Sequence, residues 1–357
     1  MSDPLIAKRK SEHLRIVLEE AVTHGRPTLL DEIQLFHEAL PELDLDEIDT
    51  SLDFFGKRLH APLMITSMTG GAGVAGEMNR QLAAAAARVG VAFAVGSQRI
   101  LFDHPELLPD FAVREQIPAG VLLGNIGAVQ LREHALEDVA DLAQRIEADG
   151  ICVHLNAAQE LCQPEGNRGF AGLLEQIGRL VELMDGRVLV KETGAGLSPA
   201  TLRALSDCGV KYVDVAGSGG TSWTRVEMHR APPGRERQLG ETLGDWGVPT
   251  AFSVIAARRV CTTDTRIVGS GGVTSGLDCA RVIACGAHVA GFARVALLAW
   301  REGGEQGVVA LLERLKHELR CIMLLTASTD VQALRDTGRI YTGELRDWLA
   351  ERNWLDG

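Results

Sequence analysis

Eight short apolar segments recur along the chain, and their spacing limits the folds open to it. They read LMITS (63–67), VAFAVG (91–96), GVLLGN (120–125), ICVHLN (151–156), VLVKE (188–192), YVDVAG (212–217), RIVGSGG (266–272) and HVAGFA (288–293). Each has strand length, and most are near-continuously apolar, as strands covered on both faces must be. Amphipathic stretches lie between them: NRQLAAAAARV (79–89), LEDVADLAQRIEA (136–148) and SPATLRALSDCG (198–209). The last opens on Ser-Pro and ends on Gly, which suit the two ends of a helix. Strands alternating with helices predict an α/β fold, a (β/α)8 TIM barrel, with a doubly wound open sheet as the competing arrangement. Residues 1–62 read as an N-terminal helical extension, with a charged helix at 11–20 and a polar connection. Residues 63–357 read as the barrel with a C-terminal helix and a polar tail.

Composition removes several function classes. A net charge of −12 and 4 % aromatic residues leave neither a basic face nor stacking platforms for nucleic acid. The seven cysteines form no CxxC pair, which argues against a zinc site or a disulfide framework and suits a reducing cytoplasm. MSDPLIAKRKSEHL carries no apolar run after its basic residues, so no signal peptide is expected. The most apolar stretches are interrupted by Arg88 and Arg294, too early for a membrane span.

The strands end in small and polar residues: TSMTGG, GSQR, GN, HLNAAQE, KE, GSGGTSW, GSGG and FAR. In a parallel barrel these ends converge on one mouth, where catalysis is housed. GSGGVTSG (269–276) follows the seventh strand, and Gly291–Arg294 closes the eighth; together they suit a phosphate held by backbone amides and a helix N-terminus. Lys191 interrupts an apolar strand. It is either paired internally with Glu192 or Asp214, or it is a fixed cation facing an electron-rich ring or a developing anion. Met68 and Thr69, beside Gly70 and Gly71, suit backbone laid along a flat cofactor. Ser97, Gln98 and Arg99 follow the second strand, where Arg99 suits an anion. Arg9, Lys10 and His13 cluster on the first helix and would meet a second phosphate group. The charged excursion SWTRVEMHRAPPGRERQLGETLGDWGVP is either an active-site lid or a passive surface insertion.

Taken in order, RKSEHL, SMTGG, GSQR, GNIGA, HLNAAQE, VKETGAG, GSGGTSW, GDWG and GSGG resemble the type II isopentenyl-diphosphate isomerases, from about residue 8 to 350. The resemblance implies FMN used in its reduced form, NADPH as reductant, Mg2+, and interconversion of isopentenyl and dimethylallyl diphosphate. It implies FMN contacts at Ser67, Met68, Thr69, Ser97, Asn125, Lys191 and Thr221, with Gly271, Gly272, Ala293 and Arg294 around the phosphate. Substrate contacts are implied for Arg9, Lys10, His13, Ser97, Gln98, Arg99, His154, Asn156 and Gln159. Catalytic roles fall to Gln159, Lys191 and His154, and the metal to Glu160. It also implies a homotetramer or homo-octamer. Thr193 and Phe292 depart from the family pattern without touching its chemistry. An FMN-dependent 2-hydroxy-acid oxidoreductase is the competing enzyme, and a barrel reduced to a binding scaffold is the competing non-enzyme.

Overall fold

The computed structural model describes residues 4–68 and 74–355, with side chains from residue 12 onward. Its N-terminal extension carries a helix at Pro4–Glu19, then strands β1 (Ile33–Leu35), β2 (Leu52–Phe54) and β3 (Lys57–Leu59). Eight parallel strands follow: β4 (Leu63–Ile65), β5 (Ala92–Ala94), β6 (Leu122–Gly127), β7 (Gly150–Leu155), β8 (Val188–Glu192), β9 (Tyr212–Asp214), β10 (Arg266–Gly269) and β11 (Val289–Phe292). They close into one barrel, β11 pairing with β4 and β9 with β10. A last strand, β12 (Arg339–Tyr341), pairs antiparallel with β1, so that the extension and the tail share a ribbon.

The eight apolar segments became strands because alternate residues have two different dry surfaces to meet. Outward residues such as Leu63, Ile65 and Phe93 pack under the helices, while Met64, Ala92, Ala94, Leu123, Cys152, Leu189, Val268 and Val289 fill the barrel. The floor is closed by the β2–β3 hairpin, which adds Phe54, Phe55 and Leu59 to that interior. Phe55 stacks on Tyr212 with ring centroids 3.9 Å apart. Its loop residues Phe55 and Gly56 have φ of 49° and 72°, the double left-handed turn that suits a two-residue hairpin. The polar connection expected here is therefore a plug, and its three-residue strands are too short to register as a period.

Two further differences matter for the site. The 223–248 excursion is not an open loop: it folds into helices Trp223–Arg230 and Arg235–Thr242, the first started by Ser222, whose Oγ accepts the Arg225 N–H at 3.3 Å. The first helix begins earlier than expected and packs on the first of these. Among the described residues no helix is long and apolar enough to cross a membrane.

Candidate active site

Continuing the inward alternation past the apolar tier gives a polar one. After Leu123 comes Asn125, after Cys152 comes His154, after Leu189 comes Lys191, after Tyr212 comes Asp214, and after Val268 comes Ser270. His154 stands in register with Lys191, and Lys191 with Asp214. Above this tier opens a cavity of about 330 Å³ at the C-terminal mouth.

Lys191 is 6 % exposed and donates to the carbonyl of Glu192. Among the described residues it forms no ion pair with Glu192 or Asp214, although burial raises the pKa of both carboxylates and its charge works to lower them. Glu192 accepts the amides of Gly194, Ala195 and Gly196, while Asp214 accepts from Ser270 Oγ at 2.5 Å and from the Ala216 amide at 3.2 Å. The ammonium thus stands on the cavity wall beside two buried carboxylates whose hydrogen bonds go to other groups. Beside it, burial, then Lys191 and Arg99, push His154 down to about 3, so its ring is neutral at ordinary pH. His154 Nδ1 lies 2.9 Å from Asn125 Oδ1, which fixes the tautomer with Nδ1 donating and Nε2 accepting.

The polar end of β7 continues into helix Ala157–Cys162, which projects Gln159 and Glu160 over the mouth. Asn156 Nδ2 donates to Glu160 Oε1 at 3.0 Å, and the Asn167 amide donates to Glu160 Oε2 at 2.7 Å. Gln159 Nε2 donates to Glu227 Oε1 at 2.8 Å. Glu227 is the buried hub of the roof: Gln163 Nε2 donates to it at 2.7 Å, Arg230 Nε at 2.7 Å, and His13 Nε2 lies 2.9 Å away. Burial alone would raise its pKa, but His13, Arg230 and Gln159 outweigh that and hold it down to about 2. His13 also meets the edge of Trp223 at 5.3 Å, so the first helix is seated on the roof helix at two points.

The glycine loops do two jobs. Gly271 and Gly272 line the cavity with φ of 106° and 73°. A side chain on Gly272 would also strike Thr28 Cγ2 at 2.5 Å, so that glycine admits the N-terminal extension as well as a ligand. Helix Arg294–Leu325 begins at the cavity with no side-chain cap at Ala293, leaving first-turn amides for an anion. Arg294 Nε donates to the Val17 carbonyl at 3.0 Å, at the end of the first helix.

The cavity gathers His13, Ser67, Met68, Ser97, Arg99, Asn125, His154, Asn156, Gln159, Glu160, Lys191, Thr221, Gly271, Gly272, Ala293 and Arg294. Thr69 lies outside the described residues, as do the side chains of Arg9 and Lys10. Gln98 stands apart from the cavity. Fully buried behind β6, it donates to the Leu142 carbonyl at 2.9 Å and accepts the Asn125 amide at 3.0 Å, so the geometry does not support a substrate contact. Sequence reasoning missed Glu227, Trp223, Gln163 and Gln130. The one signal was Trp223 and Glu227 standing four apart behind a Ser that caps helices, which puts both on one helical face.

A flavin mononucleotide fits this donor set: a buried Lys191 on the wall, glycine-lined loops, and an uncapped helix start for the phosphate. Mg2+ fits only as a shared ion. Among the described residues no three His, Cys, Asp or Glu side chains converge, so Glu160 would need oxygens from the substrate and water to complete a shell.

Residues 130–340 match the family described as FMN-dependent dehydrogenase. The chain is 39 % identical over 353 residues to the isopentenyl-diphosphate delta-isomerase of Methanothermobacter thermautotrophicus, covering 98 % of this chain and 97 % of that one. It is 42 % identical over 350 residues to that of Methanothrix thermoacetophila, covering 97 % and 96 %. Among solved structures it resembles a lactate oxidase of Pediococcus acidilactici, with a TM-score of 0.68, 15 % identity and 94 % of each chain covered. A mandelate oxidase gives a TM-score of 0.63 at 18 % identity, covering 94 % of this chain and 99 % of that one. At such identities the likeness is one of fold. Near-complete coverage at about 40 % identity is a stronger bond, and it places the chain in the type II isopentenyl-diphosphate delta-isomerase family.

Proposed function

We propose that this chain interconverts isopentenyl and dimethylallyl diphosphate, using reduced FMN, with NADPH as the reductant and Mg2+ at the diphosphate. The observation that carries the reading is the division of one cavity into two chemistries. Leu14, Val17, Met68 and Leu298 offer apolar surface to a short hydrocarbon, and Arg99 and Arg294 supply cations to an anionic head, with the His13 imidazole beside them. The groups between them, Asn156, Gln159 and a neutral His154, carry no charge that would trap a carbocation or repel a diphosphate.

Moving a double bond by one carbon requires a proton added at one end and another removed, without net redox. Among the described residues no carboxylate dyad stands ready for this: Glu160, on the cavity wall, is held by Asn156 and Asn167, and Glu227, behind it, by four partners. Reduced FMN, when bound, supplies acid–base chemistry on its ring system. Lys191 favours negative charge along the ring edge it faces. Gln159, fixed by Glu227, holds the allylic end of the substrate or relays a proton. Glu160 binds Mg2+ with the diphosphate, and the roof of Trp223 and the first helix keeps water from the hydrocarbon.

The competing 2-hydroxy-acid oxidase would need a histidine base after the sixth barrel strand. There the chain reads AGSGGTSW, and the cavity's histidines, His13 and His154, come from other elements. The test is anaerobic: protein with FMN, NADPH, Mg2+ and isopentenyl diphosphate should yield the allylic isomer. Absence of isomer, with flavin reduction by a 2-hydroxy acid, would select the oxidase. A cytoplasmic homotetramer or homo-octamer completes the reading, checked by light scattering.

A further inference from the structure

The Glu192–Gly196 loop, which begins at the carbonyl holding Lys191, is gripped from two sides. From inside, the Glu192 carboxylate gathers the amides of Gly194, Ala195 and Gly196. From outside, the carbonyl of Gly194 lies 2.9 Å from His24 Nε2. The imidazole, with 2 % of its side chain exposed, is sealed in by the same strap of chain that crosses the mouth. The His24 amide donates to the Gly220 carbonyl at 2.9 Å, and the Ser222 amide to Val22 at 2.7 Å. Thr23 bridges Thr221, the Gly25 amide donates to Asp245 at 2.5 Å, and the Ala251 amide to Thr28 at 3.0 Å. Gly194 also packs closely on the strap's partner strand end, since a side chain there would lie 2.5 Å from the Thr221 carbonyl.

We propose that His24 is a positioning residue for Lys191: by donating Nε2–H to the Gly194 carbonyl it fixes the loop whose first carbonyl, that of Glu192, holds the Lys191 ammonium. Its other nitrogen supports this. Nδ1 is buried and without a partner, 4.0 Å from Asp245 Oδ1, so the ring is aimed at Gly194 and not at the nearby acid. The strap also runs from the helix that carries His13, so one stretch of extension touches the roof at one end and the lysine loop at the other. The proposal rests on Lys191 facing the cofactor.

The experiment compares His24→Phe, which keeps the ring volume and removes the donor, with His24→Gln, which restores a donor amide. In His24→Phe the isomerisation kcat should fall by about tenfold, the size of one lost buried hydrogen bond, with KM for isopentenyl diphosphate unchanged and the thermal midpoint lowered only modestly by the unpaired Gly194 carbonyl. The visible spectrum of bound FMN should shift, and amide exchange across 193–197 should quicken in protein without ligand. His24→Gln should return kcat and spectrum most of the way. Unchanged kcat, spectrum and exchange in His24→Phe would overturn the proposal. So would equal losses of kcat and of thermal midpoint in both variants, since a donor amide that restores nothing marks bulk packing only. If the unaltered protein makes no isomer, the functional reading fails, while exchange across 193–197 still decides whether His24 holds the loop.

Discussion

Gln159 and Glu227 are separated by 68 positions in the chain and joined by a hydrogen bond of 2.8 Å across the mouth. The bond runs from the polar end of a barrel strand to the helix that roofs it. It means that the orientation of an amide lining the cavity is set by a carboxylate that does not line it.

Replacing that carboxylate tests the hub. Glu227→Gln keeps the shape but leaves Arg230 and His13 facing a neutral amide in a buried place. Stability should fall by about 3 kcal/mol, the cost of breaking one side of a buried charged cluster, measured by urea unfolding. Isomerase kcat should drop with it. A variant as stable and as active as the unaltered enzyme would remove Glu227 from the site.

Lys191→Ala should lose at least about a hundredfold in turnover with reduced flavin, as loss of a preorganised charge in a dry site does. The fold should survive, because the ammonium makes no ion pair among the described residues. Near-normal turnover in this variant, measured by product formation under anaerobic conditions, would mean the lysine does not face the chemistry.

Adjacent residues Gln98 and Arg99 should separate cleanly. Gln98→Leu leaves the Asn125 amide and the Leu142 carbonyl unpaired in a dry place, so stability should fall by about 2–4 kcal/mol. Arg99→Ala removes a cation on the cavity wall, so KM for the diphosphate should rise by at least about tenfold with little change in stability. If Gln98→Leu raised KM at unchanged stability, its amide would have to turn into the cavity.

Acid should unfold the protein in part through a histidine far from the site. Burial, then Arg335, Arg266 and Arg258, push His288 from its ordinary 6.5 down to about 3, and its Nδ1 accepts the Ile267 amide at 3.0 Å, as a neutral ring must. The unfolded chain therefore binds a proton that the native one refuses. The stabilisation is complete above about pH 6.5 and is lost as pH falls toward 3, at up to about 1.4 kcal/mol per pH unit. His288→Asn, which keeps an acceptor and does not titrate, should flatten the urea-midpoint curve between pH 6 and 4. An unchanged slope would show that His288 carries no such linkage.

The barrel could be read from the chain because each of its strands is apolar on both faces, a pattern local enough to survive without tertiary information. The polar tier was readable for the same reason: Asn125, His154 and Lys191 each follow an inward apolar residue by two positions. Glu227 was hidden because its meaning lies in partners between 3 and over 200 residues away, while locally it is one more acid in a charged stretch. Gln98 was not placed because a polar residue at a strand end can face the mouth or the back of the next strand, and packing around Gly124 decides which. The Phe54–Leu59 plug escaped because two strands of three residues hold no measurable period.

The ribbon of β1 and β12 bears on how the enzyme is made. Ile33 pairs with Tyr341, so the ribbon that anchors the extension lacks its second half until more than three hundred further residues have left the ribosome. The barrel strands can pair neighbour with neighbour as they emerge, but the anchoring of the extension waits on a late arrival. A nascent or prematurely stopped chain could build most of a barrel, seat its first helix and still lack the strand that pairs residues 33–35, so the far end of the extension is the part that closes last.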